Sequence, residues 1–318
     1  MLKKVCTSLA VILISMSLVS GSVFAQAEYP TKPITMYIGY KAGGGTDAMG
    51  RVLANIMSRE LGQQVNVVNK AGAGGGVAAM AIQKMKPDGY SLYLAASDTL
   101  NWHCLLNKQL TYHIDDFDYA GMLTLYQQGL IAPKESPYNN IKEFLEYAKA
   151  NPGIKYAFFN DGSKMIMQFI ADLEGLKVNY VPAKGGSECA QLVLGNQVDL
   201  SYSGGIHQRY PGQMKLIAAA TSVRQAANPD VLTLLECDIP LSTDTLTTLT
   251  LPKGTPQEII AKLEDTLRVA STDPDLMNIS KKLMYPISFK TGKEAYELLA
   301  KQLKEYEKLL KITGFEAK

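Results

Sequence analysis

Two glycine-rich stretches carry the residues of this chain best suited to chemistry, and the chemistry they suit is holding an anion. Residues 34–61 read ITMYIGYKAGGGTDAMGRVLANIMSREL: an apolar run, then Ala42, Gly43, Gly44, Gly45, Thr46 and Asp47, then Met49, Val52, Leu53, Ile56 and Met57 at helical spacing. A helix start leaves its first backbone N–H groups unpaired and carries the positive end of the peptide dipole, so it attracts negative charge. Glycines let a ligand approach that backbone, because no Cβ stands in the way. The same residues also compose an ordinary turn in which Thr46 or Asp47 caps the helix.

The elements that position this loop repeat along the chain. A second strand, residues 64–69, leads into Ala71-Gly72-Ala73-Gly74-Gly75-Gly76 and a helix over 77–86, and a third strand, 90–96, ends in Ser97-Asp98-Thr99. Alternating strands and helices predict a parallel sheet whose strand-end loops line one edge, where ligands of open α/β sheets sit. From residue 126 the pattern starts again. Strand 155–159 leads through Asn160, Asp161, Gly162, Ser163 and Lys164 into a helix; strand 178–181 leads through Ala183, Lys184, Gly185 and Ser187 into another; strand 198–202 ends at Ser203-Gly204-Gly205.

The fold class expected is therefore α/β, with two domains that are each a mainly parallel sheet flanked by helices. Residues 28–125 and 246–318 form the first and 126–245 the second, with crossings near Leu125 and Thr245. The charged helix from Lys293 to about Lys311 reads as a solvated cover on the first domain, with no functional role.

At 318 residues, 47% hydrophobic and 19% charged, the chain has the composition of a soluble globular protein of two domains. Residues 1–27 differ: Lys3 and Lys4, an apolar core over 9–19, then small residues to Ala25 and Ala27. They read as an export signal, too short in its core to span a bilayer, cut after Ala25 or Ala27. The only cysteine of that leader, Cys6, precedes the core, so no lipid anchor is expected and the mature protein should be free in the periplasm. Removing the leader leaves 30 basic against 30 acidic residues, a balance that gives no electrostatic argument for nucleic acid or a membrane surface. Cys104, Cys189 and Cys237 are scattered and odd in number; they allow at most one bridge and read as buried free thiols.

Several catalytic and cofactor signatures fail on inspection. Gly72 and Gly74 begin a dinucleotide fingerprint that Val77 breaks, and no Walker lysine follows either glycine run. His103, His113 and His207 lack zinc spacing, and Asp115, Asp116 and Asp118 lack the glycine and glutamate of a calcium loop. No catalytic residue, metal or cofactor is expected. A serine among Ser163, Ser187 and Ser203 activated by a histidine would instead indicate an α/β hydrolase or transferase.

Read in order, YPTKPITMYIGYKAGGGTDAMGRVLA, VVNKAGAGGGVAA, KPDGYSLYLAASDTL, YHIDDFDYAGML, VNYVPAKGGSECAQLVLGNQVDL and NPDVLTLLE followed by LPKGTPQEII resemble the receptors of tripartite tricarboxylate transporters, the Bug receptors, over essentially the whole mature chain. The resemblance implies a two-domain Venus flytrap that closes on a small carboxylate and presents it to a membrane permease, as a monomer without catalysis. The loop from Ala42 to Asp47 and the loop from Ala71 to Gly75, Ala73 and Gly74 among its residues, would then hold one carboxylate through main-chain amides, partly by way of ordered waters, beside Ser97 and Thr99. Asn160 to Lys164, Lys184, Gly185 and Ser203 would face the ligand's other end. A bulky residue at Gly44 is accordingly expected to abolish binding.

Three positions depart from the family pattern: Lys164 where a histidine is usual, Ala183 where a tyrosine is usual, and the neighbourhood of Ser203-Gly204, where an Asp-Asn-type pair is usual. Lys164 could meet a second carboxylate, or it could face solvent while Asp161 accepts a cationic substituent, and Ala183 would leave room for a bulkier ligand. Trp102 and Tyr126 could wall the pocket or pack in the hinge. A sensory receptor that reports to a membrane kinase would need the same flytrap.

Overall fold

The computed structural model describes residues 29–314; the leader read in residues 1–27 lies outside them. In chain order the first part runs β1 (Ile34–Ile38), α1 (Gly45–Leu61), β2 (Val65–Asn69), α2 (Gly76–Ile82), β3 (Ser91–Ala96), α3 (Asp98–Asn101), α4 (His103–Leu106) and β4 (Phe117–Leu125). It continues with β5 (Gly129–Pro133), α5 (Ile141–Ala150), β6 (Ile154–Phe158), α6 (Asp161–Glu174), β7 (Val178–Pro182), α7 (Gly186–Leu194), β8 (Leu200–Ser203) and β9 (Met214–Ala219). It closes with β10 (Leu246–Pro252), α8 (Gln257–Ala270), α9 (Pro274–Leu283), β11 (Ile287–Thr291) and α10 (Gly292–Thr313).

Two sheets result, one in the order β11-β4-β10-β3-β1-β2 and the other β7-β6-β8-β5-β9. Both are mixed. β1 pairs in parallel with β2 and β3, and β6 with β7 and β8, as the βα alternation predicts. β10 is antiparallel to β3 and β4, and β5 to β8 and β9, because these strands arrive from the other sheet and not over a crossover helix.

Burial follows residue spacing. Met49, Leu53, Ile56 and Met57 recur three or four apart and put one stripe of α1 against β1, whose alternate Ile34, Met36 and Ile38 are fully buried. Leu263 and Leu267 of α8 complete that layer. The opposite face of the first sheet is covered by α2 and by Ala295, Leu299 and Leu303 of α10. The second sheet is covered by α5 and α6 on one face and by α7 on the other.

The last helix does more than cover the first sheet. Its Tyr306 and Leu309 belong to the core cluster of the second sheet, so α10 spans both, and the expected solvated cover is only its outer face. The Gln302 side chain receives a hydrogen bond from Asn101 Nδ2 (2.9 Å) and donates to the Asp244 carbonyl (2.7 Å), beside the second crossing. The two crossings are themselves joined by Tyr126 N donating to the Thr245 carbonyl at 2.9 Å and Ala220 N to that of Gln128 at 2.9 Å. Among the described residues no helix is long and apolar enough to cross a membrane. Cys104, Cys189 and Cys237 are free thiols, the last two buried.

Candidate functional site

A cavity of about 400 Å³ lies between the sheets. The first-sheet side contributes Tyr40, Thr46, Gly74, Ala96, Asp98, Trp102 and His103; the second contributes Phe159, Asn160, Gly162, Ser163, Ile166, Lys184, Tyr202 and Gly204. Its floor is the crossing segments, with Tyr126, Gln128, Thr243 and Thr245, and Tyr306 of α10 closes one side.

Strand ends place the first group. β1 delivers the chain to the loop before α1, whose N-cap Gly44 offers no side-chain cap, so the first amides of α1 have no side-chain partner. The Asp47 carboxylate is spent locally: it accepts from Gly43 N (2.9 Å), Arg51 Nε (3.0 Å) and Asn69 Nδ2 (2.8 Å). Burial works to raise its pKa, but those three hydrogen bonds outweigh it and hold Asp47 below the usual carboxylate range. Thr46 reaches the cavity and shares a 2.7 Å hydrogen bond with the Tyr126 hydroxyl, tying the opening of α1 to the first crossing.

The second glycine loop is pinned by its carbonyls. Thr99 Oγ1 donates to Gly74 O (2.8 Å) and the Tyr93 hydroxyl to Gly75 O (2.9 Å), which sets Gly74 against His103. Gly74 has φ +62°, and a Cβ there would stand 2.4 Å from His103 Nδ1. Gly74→Val is therefore expected to lose ligand affinity by tenfold or more and to lower stability by about 1–3 kcal/mol through backbone strain and overpacking; calorimetry and chemical unfolding measure the two. At Gly44 the backbone is ordinary (φ −77°) and a Cβ would meet only Lys41 O at 3.6 Å. Gly44 itself does not line the cavity.

On the second-sheet side the opening of α6 caps itself. The Asn160 side chain accepts from Ser163 N (2.8 Å), and Ser163 Oγ accepts from Phe159 N (3.2 Å) and Asn160 N (3.1 Å). A third opening, at α7, has Gly185 as N-cap with no side-chain cap, and the exposed Lys184 precedes it.

Of the residues singled out from sequence, Thr46, Gly74, Asn160, Gly162, Ser163 and Lys184 line the cavity. The others do not. Ala42, Gly43 and Ala73 are exposed outside it, and Gly44, Gly45, Asp161 and Gly185 are half-buried at the loops around it. Ser97 is buried and its hydroxyl accepts from Leu246 N (3.0 Å), while Thr99 is held by Gly74 and by Tyr40 (2.9 Å), so both brace strands. Lys164 lies over the rings of Phe158 (5.9 Å) and Tyr180 (5.3 Å), away from the cavity. Ala183 packs against the small cluster under α7 and does not line the cavity.

Ser203 meets the condition set for an enzyme, a serine beside a histidine, and fails on access. Its Oγ lies 2.7 Å from His207 Nδ1 and accepts from Gly205 N, but the residue is fully buried and does not line the cavity. The orienting group on His207 Nε2 is the neutral Gln225 at 3.0 Å, not a carboxylate. Burial, which outweighs the Gln225 hydrogen bond, pushes the His207 pKa down to about 4. His207 is thus neutral when folded but protonates in the unfolded chain near pH 6.5. Its contribution to stability is complete above that pH and is lost as pH falls towards 4, by about 3 kcal/mol. The melting temperature of His207→Gln is expected to fall less between pH 7 and 4 than that of the native protein.

Several lining residues escaped the sequence reading. Asp98, His103, Phe159, Tyr202, Thr243, Thr245 and Tyr306 all face the cavity. Trp102 and Tyr126 are buried and wall the cavity, Trp102 with its ring 4.1 Å from that of Tyr306 and Tyr126 4.7 Å from that of Tyr285. After burial, the negative charge of Asp98 is the next influence raising the hydroxyls of Tyr40 and Tyr306 well above their ordinary pKa.

Comparison with known proteins bears on what such a cavity serves. Residues 49–315 match the family model described as the tripartite tricarboxylate transporter family receptor. A Cupriavidus necator protein, "UPF0065 protein in gbd 5'region", is 32% identical over 91% of this chain and 90% of its own. The structure of the periplasmic binding protein BugD superposes with a TM-score of 0.76 at 29% identity, covering 91% of this chain and 99% of that one. MatC from Rhodopseudomonas palustris with bound malate does so at 0.75 and 26%, covering 89% and 100%. The matched family is described as one of receptors, and the buried Ser203–His207 pair gives no reason to set this chain apart as an enzyme. The chain belongs to the tripartite tricarboxylate transporter receptor family.

Proposed function

We propose that the chain is a periplasmic receptor that binds a small organic carboxylate in the cavity between its sheets and delivers it to a membrane permease of the tripartite tricarboxylate type. Export by residues 1–27 belongs to this reading, as does a flytrap of two domains, 28–125 with 246–318 and 126–245, hinged at the crossings. The observation that carries it is the arrangement of loops around the cavity. The uncapped opening of α1, with Thr46 and Gly74, faces it from one side, and Gly162 and Lys184 face it from the other. Main-chain amides and one helix dipole suit a carboxylate without demanding a basic protein. MatC, a relative with bound malate, points to the same ligand class.

Closure follows from contacts across the cavity. Trp102, on the first-sheet side, rests against Gly162 at the start of α6, and Tyr285 lies beside Gly205 of the second. A ligand that touches both sides favours the closed arrangement by its differential contacts. The test is a thermal-shift screen of the mature chain against aliphatic and aromatic carboxylates, confirmed by calorimetry. A rise in melting temperature that grows with ligand concentration is expected; no response to any acid would contradict the reading.

A further inference from the structure

The charges around the cavity suggest more than a carboxylate. Among its lining residues the carboxylate is that of Asp98, the ammonium that of Lys184, and the titratable ring that of His103. Asp98 is a poorly satisfied group: Oδ1 is buried without a hydrogen-bond partner, and Oδ2 lies 3.7 Å from His103 Nε2, beyond hydrogen-bond distance. His103 Nε2 likewise has no hydrogen-bond partner. The side-chain oxygen of Gln128, which lines the same cavity and is only 5% exposed, is a buried acceptor with nothing to accept. Buried acceptors without donors are costly and uncommon. Here an anion and a carbonyl both wait for a donor, in one cavity, next to hydroxyls of Tyr126, Tyr202 and Tyr306 that can be pointed either way.

A ligand carrying only negative charge would bring its carboxylate into an enclosed space already holding that of Asp98, where like charges repel strongly. A ligand with a cationic nitrogen as well would leave both ends matched. We infer that the receptor's preferred ligand is an amine-bearing carboxylate, with its nitrogen held by Asp98 and Gln128 and its carboxylate by the glycine loops and Lys184. The aromatic faces of Trp102 and Tyr306 beside Asp98 suit the same cation. This rests on the carboxylate-receptor reading above and assigns the second charge of its ligand. It also moves the cation-accepting role from Asp161 to Asp98.

Matched pairs test it in the native protein by calorimetry: glutarate against glutamate, butyrate against 4-aminobutyrate, and 3-phenylpropionate against phenylalanine. In the pair whose size fits, the amine-bearing member is expected to bind at least tenfold tighter, and Asp98→Asn to remove that advantage by weakening the amine-bearing member and tightening the amine-free one. Amine-free acids that bind as tightly as their partners would overturn the proposal and leave the receptor reading intact. So would an advantage that survives Asp98→Asn in a variant whose melting temperature shows it folded. Should no acid of either kind bind, the receptor reading fails and this inference with it.

Discussion

Gly162→Leu is expected to weaken ligand binding by roughly tenfold to a hundredfold while the empty protein stays folded, from an overpacking cost of about 1–3 kcal/mol that falls on the closed form. Gly162 is the second residue of α6, where a side chain is acceptable to the backbone. The obstacle is in front of it: a Cβ would lie 2.2 Å from Trp102 Nε1 and 2.6 Å from its Cδ1. Trp102 cannot swing freely aside, because it is 5% exposed and lies against Tyr306. The strain is relieved most simply by parting the two sides of the cavity, which forfeits contacts that a ligand needs from both. Calorimetry on the variant, beside its melting temperature without ligand, separates this from unfolding. An unchanged affinity would mean that the indole finds another seat.

Tyr306→Ala is expected to cost about 3–5 kcal/mol, as for other large buried aromatic side chains. Tyr306 is 4% exposed, stands against Trp102 and belongs to the second-sheet core, although it is borne by a helix whose earlier residues pack on the first sheet. The loss should therefore appear both in chemical unfolding and in ligand affinity, since one residue closes the cavity and joins the sheets. Tyr306→Phe keeps the packing and should retain most of the stability. A loss near or below about 1 kcal/mol for the alanine variant would show that the end of α10 is not packed as described.

What could be read from the sequence was local. Alternation at Ile34, Met36 and Ile38 and helical spacing from Met49 to Met57 specify strand and helix within a few residues, and glycines after the strands mark the loops that meet at the cavity. The direction of β10 was not legible, because antiparallel insertion depends on where the chain returns from. The α10 stripe Leu299, Leu303, Tyr306 and Leu309 predicts a buried face without telling that two different cores share it.

The site divided along the same line. Loops gave Thr46, Gly74, Asn160, Gly162, Ser163 and Lys184, because their place after a strand decides where they point. Ser97, Thr99 and Ser203 stand at equivalent places, but hydroxyls that find partners in their own backbone leave the cavity. Asp98, between two of them, does line the cavity, and a charged residue at a strand end is its signal in the sequence. Tyr306 and Thr243 reach the cavity only through tertiary packing, which no spacing encodes.

In the proposed reading, main-chain amides of the glycine loops hold a small acid between the two sheets. A crystal structure of residues 28–318 with the tightest-binding acid from the thermal-shift screen tests it most directly. Carboxylate oxygens are expected within about 3.2 Å of main-chain nitrogens at the start of α1 or at Gly74, inside the cavity that Gly162 and Trp102 line. An acid seated elsewhere, or held in the cavity with its carboxylate turned away from both loops, would contradict it.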